Sequence, residues 1–595
     1  MNDLMNELAA FSPFGGTLIR EEVRGSDNSF QTPENSVSTH AGMDRSMYSY
    51  VPGSGCPDAK QCQVLMVLRD GGDEESASAL MKRLQLDQLA EERHFVLLFP
   101  NPQEGGWNYG RKQEMDDDLS FLVRCFAALP KSRGKVAGFN GMIFYLAASP
   151  AASALLALLS ARSPIDCSAA MLSGFPEDFE MPLDSLRQPQ TAWVYGANDS
   201  FADYLLEVNS PCTRSQSGSV TVYASQKNPN IRCFLSPSGE LSAAEVRLAW
   251  DMMFSEARRW RNDTYGTYQR RTDFTARGFT GHVNDSSLGV NHGYAHTWYE
   301  YIPPQLRGTE DKAPLLFYFH GGNCIPLYGA EQSGWHDIAD REGFIVVYPK
   351  ASTKKRWNCW NDANEPSDFD FVLALIEHMK RIHPIDESRI YISGFSMGSM
   401  MTNALACSYP DIFAAGAAFN AQNLGYFCNL LSTFGQLNMG AGGTYTEAQL
   451  KEPSPCHVLA DRKKAAFDYR MPLIQNSGLL DGLGMNGAWP ISSSDNLWLQ
   501  TIDYWKQYNH IPVQPFVQNA GCETGLYADE TDYEGEDQRF IHQSWRSEDP
   551  GHLPLYQLVV AKRMPHAADL RQMEIAWEFM KHYRRNSDGT LAFER

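Results

Sequence analysis

Short apolar runs alternate with amphipathic segments along the chain, most clearly in its second half. Pro314 to Phe319, Gly343 to Tyr348 and Arg389 to Ser393 are apolar runs of strand length. Asp368 to Ile382 has helical spacing with an apolar stripe, and Met397 to Ser408 follows as a helix after a tight turn. This alternation predicts an α/β fold, in which mostly parallel sheets are flanked by helices.

The same order of segments occurs twice, with an offset that grows along the chain as loops lengthen. The matches pair residues 47–52 with 298–303, 63–72 with 315–322, 89–100 with 338–349, 107–108 with 357–358, 138–140 with 394–396, and 249–251 with 576–578. Six matches in one order predict a tandem duplication. The domains are predicted at 1–262 and 270–595, and the polar stretch 261–266 is the predicted joint.

Composition narrows the classes of partner. The chain has 595 residues, with 51 Lys+Arg against 71 Asp+Glu and a net charge of −20. This acidic balance argues against nucleic acid and against an anionic membrane as partners. No apolar run is long enough to span a bilayer, and the first residues lack a signal-peptide pattern. With 12 scattered cysteines, we expect a cytoplasmic protein whose thiols are reduced.

The segment Gly394–Gly398 reads G-x-S-x-G, between the predicted strand at 389–393 and the following helix. That context is typical of a nucleophile elbow, with Ser396 as the nucleophile. A serine hydroxyl needs a base to take its proton, and that base needs a carboxylate to orient it. In this architecture the acid and then the histidine follow the serine along the chain.

Asp481 lies just beyond the apolar strand at 472–478 and is the predicted acid, with Asp495 and Asp503 as alternatives. His566 follows the strand at 556–561 and precedes the last amphipathic helix, where the base of a triad belongs. The other histidines considered for this role are in a polar stretch or in that helix: His542, His552 and His582.

A tetrahedral intermediate requires two backbone N–H donors for its oxyanion. The residue after the nucleophile, Met397, is predicted to supply one of them. The second is predicted to come from Gly322, in the glycine turn at 320–323. A metal site is not predicted: His292 and His296 are spaced i, i+4, but no acidic residue completes an H-E-x-x-H pattern.

Together, residues 298–430 and 556–585 resemble the polyhydroxybutyrate depolymerase-like esterases, a family that includes feruloyl and acetylxylan esterases. The resemblance rests on His320-Gly321-Gly322, residues 334–344, Tyr348-Pro349, Trp357-Asn358-Cys359-Trp360, the Ser396 elbow and residues 409–415. It implies an α/β-hydrolase fold, ester hydrolysis through an acyl-serine, and no cofactor.

This chain departs from the resemblance in two places. Many relatives have cysteine directly after the His-Gly, where this chain has Gly322, with Cys324 two residues later. Whether Cys324 and Cys359 are bonded stays open. The segment 420–470 is also longer than a minimal hydrolase needs, and it is interpreted as a lid over the acyl pocket or as a surface insertion.

Through the repeat, the catalytic residues of the second copy map onto other residue types in the first. The correspondences are Ser396 with Asn140, His320 with Asp70, Asp481 with Asp199 and His566 with Gly239. The first domain is therefore predicted to be degenerate and non-catalytic. Its expected roles are to pack against the active domain, to shape its cleft or to form a homo-oligomer; carbohydrate binding has less support.

The leading hypothesis is a serine esterase acting on feruloyl or acetyl esters of plant-derived oligosaccharides, or on small-molecule esters. Trp335, Trp357 and Trp360, together with His320, are the candidate substrate-binding residues, with core packing as the alternative for each tryptophan. The rival functions are a serine peptidase of the prolyl-oligopeptidase type and a non-catalytic binding or scaffold protein.

Overall fold

The chain divides into two compact units, residues 5–272 and residues 273–595. The computed structural model describes residues 16–27, 42–109, 115–133, 136–182, 187–196, 199–237, 241–353, 356–361, 363–421, 455–481 and 489–594. The predicted joint at 261–266 is instead the turn of a hairpin inside the first unit, between Arg259–Trp260 and Thr267–Tyr268. The division between the units falls after Thr272.

Within its described residues, the first unit is built on a ten-stranded sheet with the order β1-β2-β4-β3-β5-β6-β7-β10-β9-β8. The strands are β1 (Leu18–Val23), β2 (Arg45–Tyr50), β3 (Val64–Leu68), β4 (Val96–Pro100), β5 (Ile143–Ala147), β6 (Ala169–Ser173), β7 (Ala192–Tyr195), β8 (Cys212–Ser217), β9 (Val220–Ser225) and β10 (Arg232–Ser236). The helices are α1 (Glu74–Arg83), α2 (Leu86–Arg93), α3 (Asp118–Arg133), α4 (Pro150–Arg162), α5 (Asp199–Val208) and α6 (Ala243–Ala249). The hairpin strands are β11 (Arg259–Trp260) and β12 (Thr267–Tyr268).

The second unit, in its described part, also contains a ten-stranded sheet, with the order β13-β14-β16-β15-β17-β18-β19-β22-β21-β20. Its strands are β13 (Thr280–Asp285), β14 (His296–Tyr301), β15 (Ala313–Phe319), β16 (Ile345–Pro349), β17 (Ile385–Phe395), β18 (Ala415–Phe419), β19 (Leu473–Gly478), β20 (Glu530–Glu534), β21 (Phe540–Trp545) and β22 (Tyr556–Ala561), followed by the pair β23 (Tyr583–Arg585) and β24 (Leu591–Phe593). The helices are α7 (Phe274–Arg277), α8 (Pro326–Ser333), α9 (Trp335–Glu342), α10 (Asp368–Ile382), α11 (Met397–Ser408), α12 (Pro455–Ala466), α13 (Leu497–Tyr508) and α14 (Leu570–Met580).

The two large sheets have the same strand order, each strand of the second sheet carrying a number twelve higher than its counterpart. Their central strands pair in parallel, while the outer strands at both edges pair antiparallel. The predicted fold class, mostly parallel sheets flanked by helices, is confirmed. Among the described residues, no helix is long and apolar enough to cross a membrane.

The sequence predicted α10 with the bounds that the structure shows, and the reasons are local. Ser367 caps its first turn by accepting a hydrogen bond from the Asp370 amide at 3.1 Å. Acidic residues occupy the first turn and basic residues the last, which suits the helix dipole. The apolar stripe is buried: Phe371, Val372, Leu375, Ile376 and Met379. The bounds of α11 and β22 also match their predictions.

The central strands of the second sheet are buried along their whole lengths, as in β15, β16, β18 and β19. Helices cover both faces of such a sheet, so its strands are continuous apolar runs without alternation. Ligands of open α/β sheets bind at the carboxyl ends of the parallel strands. Three of the predicted site residues, Ser396, Asp481 and His566, follow the carboxyl ends of β17, β19 and β22.

Strand register corrects one predicted correspondence between the two copies. Leu65 in β3 lies opposite Phe144 in β5, and its counterpart Leu315 in β15 lies opposite Ile390 in β17. Counting six residues onward from Phe144 and from Ile390 pairs Pro150, not Asn140, with Ser396. The Gly-Phe-Asn turn precedes β5, whereas the Gly-Phe-Ser turn ends β17. The match between Asn140 and Ser396 was wrong because it rested on two shared residues, Gly and Phe, and not on their position relative to the strand.

Candidate active site

Ser396, His566 and Asp481 form a continuous hydrogen-bonded chain. His566 Nε2 lies 3.0 Å from Ser396 Oγ, and His566 Nδ1 lies 3.0 and 2.9 Å from the two carboxylate oxygens of Asp481. A carboxylate only accepts hydrogen bonds, so Nδ1 carries the imidazole proton and Nε2 presents its lone pair to the serine hydroxyl. The alternative acids Asp495 and Asp503 do not occupy this position. This arrangement can remove the proton from Ser396.

The backbone at Ser396 has the shape of a nucleophile elbow. Ser396 has φ 55° and ψ −118°, a conformation that a non-glycine residue rarely adopts and that costs on the order of 1–3 kcal/mol. The turn is also tight, because a Cβ at Gly394 would lie 2.2 Å from the Gly398 carbonyl oxygen, and one at Gly398 would lie 1.9 Å from that of Phe319. Both glycines of the motif are therefore required by close approach of the backbone.

The loops that carry Asp481 and His566 are fastened to each other. The Leu480 amide donates to the Met564 carbonyl at 2.9 Å, and a Cβ at Gly478 would lie 2.2 Å from that same oxygen. Asn420, after β18, donates its side-chain amide to the carbonyl of Ala567, the residue next to His566. Sequence reasoning missed Gly478 and Asn420, since neither belongs to a motif and both act through backbone groups distant in the chain.

The two predicted oxyanion donors, Met397 and Gly322, lie in two turns that pack against each other. Met397 is the first residue of α11, whose first N–H groups have no acceptor within the helix and form the positive end of its dipole. A Cβ built on Gly321 would lie 3.5 Å from Ser396 Cβ, and one on Gly322 would lie 2.9 Å from Met397 Sδ. The glycine turn therefore lies directly against the elbow, where backbone donors can face a developing oxyanion.

Of the residues predicted to bind substrate, His320 and Trp357 contact the backbone of the glycine turn at 320–323 from within the core. His320 is buried, its Nδ1 lies 2.7 Å from the Gly321 carbonyl, and its Nε2 accepts a hydrogen bond from the Ala351 amide. The Trp357 indole donates to the His320 carbonyl at 2.7 Å. Both side chains are occupied in the core, which corrects the expectation that they contact substrate.

Trp335 also lies in the core, fully buried and packed against Phe344. Trp360 differs, because part of its surface is exposed. Of the three tryptophans, Trp360 alone is accessible to solvent. The spacing of the tryptophans could not separate core rings from a surface ring, because both kinds occur in apolar segments.

Cys324 and Cys359 are both buried and form no disulfide. The Cys359 thiol donates to the Met397 carbonyl at 3.7 Å, and burial raises its pKa well above the ordinary value. Cys359 therefore holds the first turn of α11 as a neutral thiol. Of the predicted lid at 420–470, residues 422–454 lie outside the described residues, and α12 accounts for most of the remainder.

The corresponding positions of the first unit carry different chemistry. Pro150 replaces the nucleophile, and the preceding Ser149 hydroxyl donates to the Asp70 carboxylate at 2.6 Å. Asp199 begins α5, and Gly239 lies outside the described residues. Proline has no hydroxyl, and Ser149, which caps α4 as Ser396 caps α11, has its hydroxyl bound to Asp70.

The comparison with known families concerns the second unit. Residues 297–442 match the family model described as Esterase PHB depolymerase. The strand order and the strand-turn-helix around Ser396 define this unit as an α/β-hydrolase domain. Within that class, residues 297–442 are similar in sequence to the esterase PHB depolymerase family.

Three curated relatives show how far the similarity extends. The bifunctional acetylxylan esterase/xylanase XynS20E of Neocallimastix patriciarum is 38% identical over 130 residues, 20% of this chain and 18% of that protein. Feruloyl esterase B of Thermothelomyces thermophilus is 35% identical over 136 residues, 21% of this chain and 44% of that protein. Poly(3-hydroxyalkanoate) depolymerase C of Paucimonas lemoignei is 33% identical over 140 residues, 22% and 32% respectively. The matches thus span less than half the length of each relative.

Proposed function

We propose that this protein is a serine carboxylic-ester hydrolase that works through an acyl-serine intermediate. The observation that carries the proposal is the chain from Ser396 through His566 to Asp481, at 3.0 and 2.9 Å. It is supported by the strained elbow, which presents the hydroxyl at the carboxyl end of the sheet. The relatives with similar sequence are named as esterases and a depolymerase.

In the first half-reaction, Ser396 Oγ attacks the ester carbonyl carbon while His566 Nε2 takes the hydroxyl proton. The carbonyl oxygen becomes an oxyanion, which the Met397 and Gly322 amides receive. The intermediate collapses by breaking the bond to the alcohol oxygen, and His566 returns the proton to that oxygen. Asp481 stays ionised, holds the imidazole in the correct tautomer and stabilises its transient positive charge.

In the second half-reaction, water replaces the alcohol. His566 removes a proton from the water as its oxygen attacks the acyl carbon, and the same two amides receive the oxyanion again. The bond to Ser396 Oγ then breaks, the serine regains its proton from His566, and the carboxylic acid leaves. Neither half-reaction requires a cofactor.

We infer that the substrates are feruloyl or acetyl esters of plant-derived oligosaccharides, or small esters of the same acids. The names of two relatives, an acetylxylan esterase/xylanase and a feruloyl esterase, support this inference. The partly exposed ring of Trp360 could stack on an aryl or sugar face. A net charge of −20 favours uncharged esters over polyanions.

We further propose that the first unit is a non-catalytic copy of the same fold. The shared strand order supports duplication, and the turn of the first unit lacks the strained elbow: Ser149 is extended and donates its hydroxyl to Asp70. We expect such a non-catalytic copy to act as a scaffold or in self-association.

The test of the activity is mechanistic. With excess p-nitrophenyl acetate, the purified protein should release a burst of nitrophenol equal to one site per chain, and a fluorophosphonate should label Ser396. Peptide mapping of the labelled chain identifies the serine. Absence of both burst and label would overturn the enzyme proposal and leave the binding-protein alternative; turnover of prolyl peptides in place of esters would favour the peptidase.

The test of the substrate compares kcat/KM for methyl ferulate, acetylated xylo-oligosaccharides and hydroxybutyrate oligomers. We expect one of the first two to be hydrolysed fastest. A Trp360→Ala variant should raise KM for that substrate more than it lowers kcat. If hydroxybutyrate oligomers gave the highest kcat/KM, the oligosaccharide-ester inference would be wrong while the esterase proposal stood.

A further inference from the structure

Two histidines and a glutamate from three separate elements meet at one place in the second unit. His282 belongs to β13, Glu300 to β14 and His378 to α10. The Nε2 atoms of His282 and His378 lie 3.2 and 3.5 Å from the same oxygen, Glu300 Oε1. One ligand atom from each of the three residues lies within 4.8 Å of the others.

These separations fit the edges of a small coordination polyhedron. With metal–ligand bonds of about 2.0–2.1 Å, ligand atoms at the corners of a tetrahedron are about 3.3 Å apart. The two distances from Glu300 Oε1 fall on either side of that value. His383 Nε2 lies 4.0 Å from the other carboxylate oxygen, Glu300 Oε2, and offers a further imidazole at the edge of the cluster.

The surroundings orient the first imidazole as a ligand. His282 stacks flat on Trp298, with ring centroids 4.3 Å apart, and its Nδ1 faces the Asp285 carboxylate at 3.6 Å. In metal sites, a ligating histidine commonly donates its other ring N–H to such a carboxylate. The Trp298 indole donates to Glu300 at 2.9 Å, which fixes the carboxylate as well.

The carboxylate of the cluster is buried, and the two nitrogens that face it lack a hydrogen bond within the described part of the chain. Glu300 is 3% exposed. The Nε2 atoms of His282 and His378 are buried and make no hydrogen bond of ordinary geometry to any described residue. Buried polar nitrogens are normally paired, and a metal ion held between the two imidazoles and the carboxylate would pair both of them at once.

The first unit shows that the fold does not need this cluster. The matching strand registers pair Glu21 with His282 and Ser49 with Glu300. There, the Ser49 hydroxyl simply donates to Glu21 at 2.6 Å. The position of His378 in α10 corresponds to Ala128 in α3, an apolar residue. The three ligand-type side chains are thus a property of the second unit and not of the α/β sheet.

We propose that His282, Glu300 and His378 bind a divalent transition metal of the zinc type, with His383 as the fourth ligand. Imidazole and carboxylate donors in this number suit zinc and its neighbours. His378 lies ten residues along α10 from Asp368, about 15 Å at 1.5 Å per residue, toward the carboxyl end of the helix. The site therefore fastens the β13–β14 hairpin to the end of α10 and takes no part in ester hydrolysis.

The experiment uses the full chain without a histidine tag, stripped with EDTA and dialysed. Zn²⁺ is titrated by calorimetry, and Co²⁺ is titrated by visible absorption, whose intensity distinguishes four-coordinate from six-coordinate ions. We expect one equivalent of each metal, a four-coordinate Co²⁺ spectrum, and a higher unfolding temperature with Zn²⁺. Esterase turnover with p-nitrophenyl acetate should be the same before and after stripping.

The variants His282→Gln and His378→Gln should each weaken Zn²⁺ binding by at least about 100-fold. The matched control is His542→Gln, because His542 also lies 3.4 Å from a glutamate, Glu534, but has no second imidazole beside it. Its affinity for the metal should equal that of the unsubstituted protein. Circular dichroism checks that each variant is folded, and the stoichiometry of the unsubstituted protein decides the matter if one is not.

Two results would overturn the proposal: no metal equivalent bound by the stripped protein, or equal weakening in all three variants. Loss of ester turnover on stripping would overturn the structural role. These outcomes are independent of the esterase proposal, which depends on burst and labelling at Ser396.

Discussion

The turn after the fifth strand of each sheet differs sharply between the two units. In the second unit the turn carries Ser396 at φ 55°, between glycines that permit the close approach. In the first unit Ser149 is extended and accepts a hydrogen bond from the Ala152 amide as a helix cap, and Pro150 begins the helix. At this turn, backbone strain is therefore present only in the second unit, and a sheet of the same order forms without it.

A second difference concerns the buried aspartate that accepts a hydrogen bond from the loop after the fourth strand of each sheet, Asp118 in the first unit and Asp368 in the second. In the first unit, Asp118 forms a buried ion pair with Arg45. In the second, Asp368 accepts hydrogen bonds from the Ser352 and Asn358 amides, and burial raises its pKa to about 6. The position of Arg45 is taken by His296, whose pKa burial lowers to about 4. The carboxylate of the first unit is thus paired with a cation, whereas Asp368 of the second accepts hydrogen bonds from the neutral donors of Ser352 and Asn358.

The largest expected effect concerns the nucleophile. Ser396→Ala should lower kcat with p-nitrophenyl acetate by about 10⁴-fold or more, because an alanine cannot form the acyl intermediate. Steady-state kinetics and loss of fluorophosphonate labelling measure it. If the variant kept more than a tenth of the turnover, catalysis would have to lie elsewhere in the chain, and the contrast between the units would fail.

The second-largest expected effect comes from disturbing the contact between the loops that carry Asp481 and His566. Gly478→Ala should lower kcat by about 10²-fold, because its Cβ would meet the Met564 carbonyl and displace His566 by a fraction of an ångström or more. The control is Gly72→Ala in the first unit, where the nearest atoms to a new Cβ are 3.7 Å away. Equal turnover in both variants would show that the two loops are not coupled.

The free energy of unfolding of the second unit should depend on pH through three buried titratable groups. Burial lowers the pKa of both His296 and His336 to about 4, against about 6.5 when unfolded. Between pH 6.5 and 4 the unfolded chain binds more protons at these sites, so their stabilising contribution is complete above pH 6.5 and is lost as the pH falls. Asp368, with a raised pKa of about 6, acts in the opposite direction between about pH 4 and 6.

His336→Phe tests this, because the ring lies against Phe279 and Tyr301 and a phenyl group can occupy its place. Between pH 6.5 and 5, the substitution should reduce the loss of unfolding free energy by roughly 1–2 kcal/mol. Calorimetry across that range measures it, with the exposed His292→Asn as control. An unchanged pH dependence in His336→Phe would contradict a buried neutral imidazole.

The smallest effect belongs to the first unit. Ser149→Ala should lower the free energy of unfolding by about 1 kcal/mol, through loss of the helix cap, and leave ester turnover unchanged. Denaturant unfolding and steady-state kinetics of the same sample separate the two quantities. A drop in kcat beyond the fraction of protein unfolded would mean that the first unit takes part in catalysis.

Much of the second unit could be predicted from local pattern. The bounds of α10 and α11 follow from apolar spacing and capping residues, and the elbow follows from a glycine-flanked serine between a strand and a helix. The acid and base candidates were found because each stands after a strand. In contrast, spacing assigned Asn140 to the wrong side of β5 and could not decide between substrate binding and core packing for Trp335, which is buried. Short letter matches and aromatic residues carry no information about strand register or depth.

By itself, the sequence determined the α/β pattern, the doubled order of segments and the three residues nominated for acyl transfer, because these depend on spacing along the chain. The tertiary structure decided how Gly478 and Asn420 connect the loops that carry Asp481 and His566. It showed, by strand register, that Pro150 of the first unit corresponds to Ser396. It also decided that His282, Glu300 and His378 meet, 18 and 78 residues apart in the chain. Such contacts join separate strands and helices, and no local spacing encodes them.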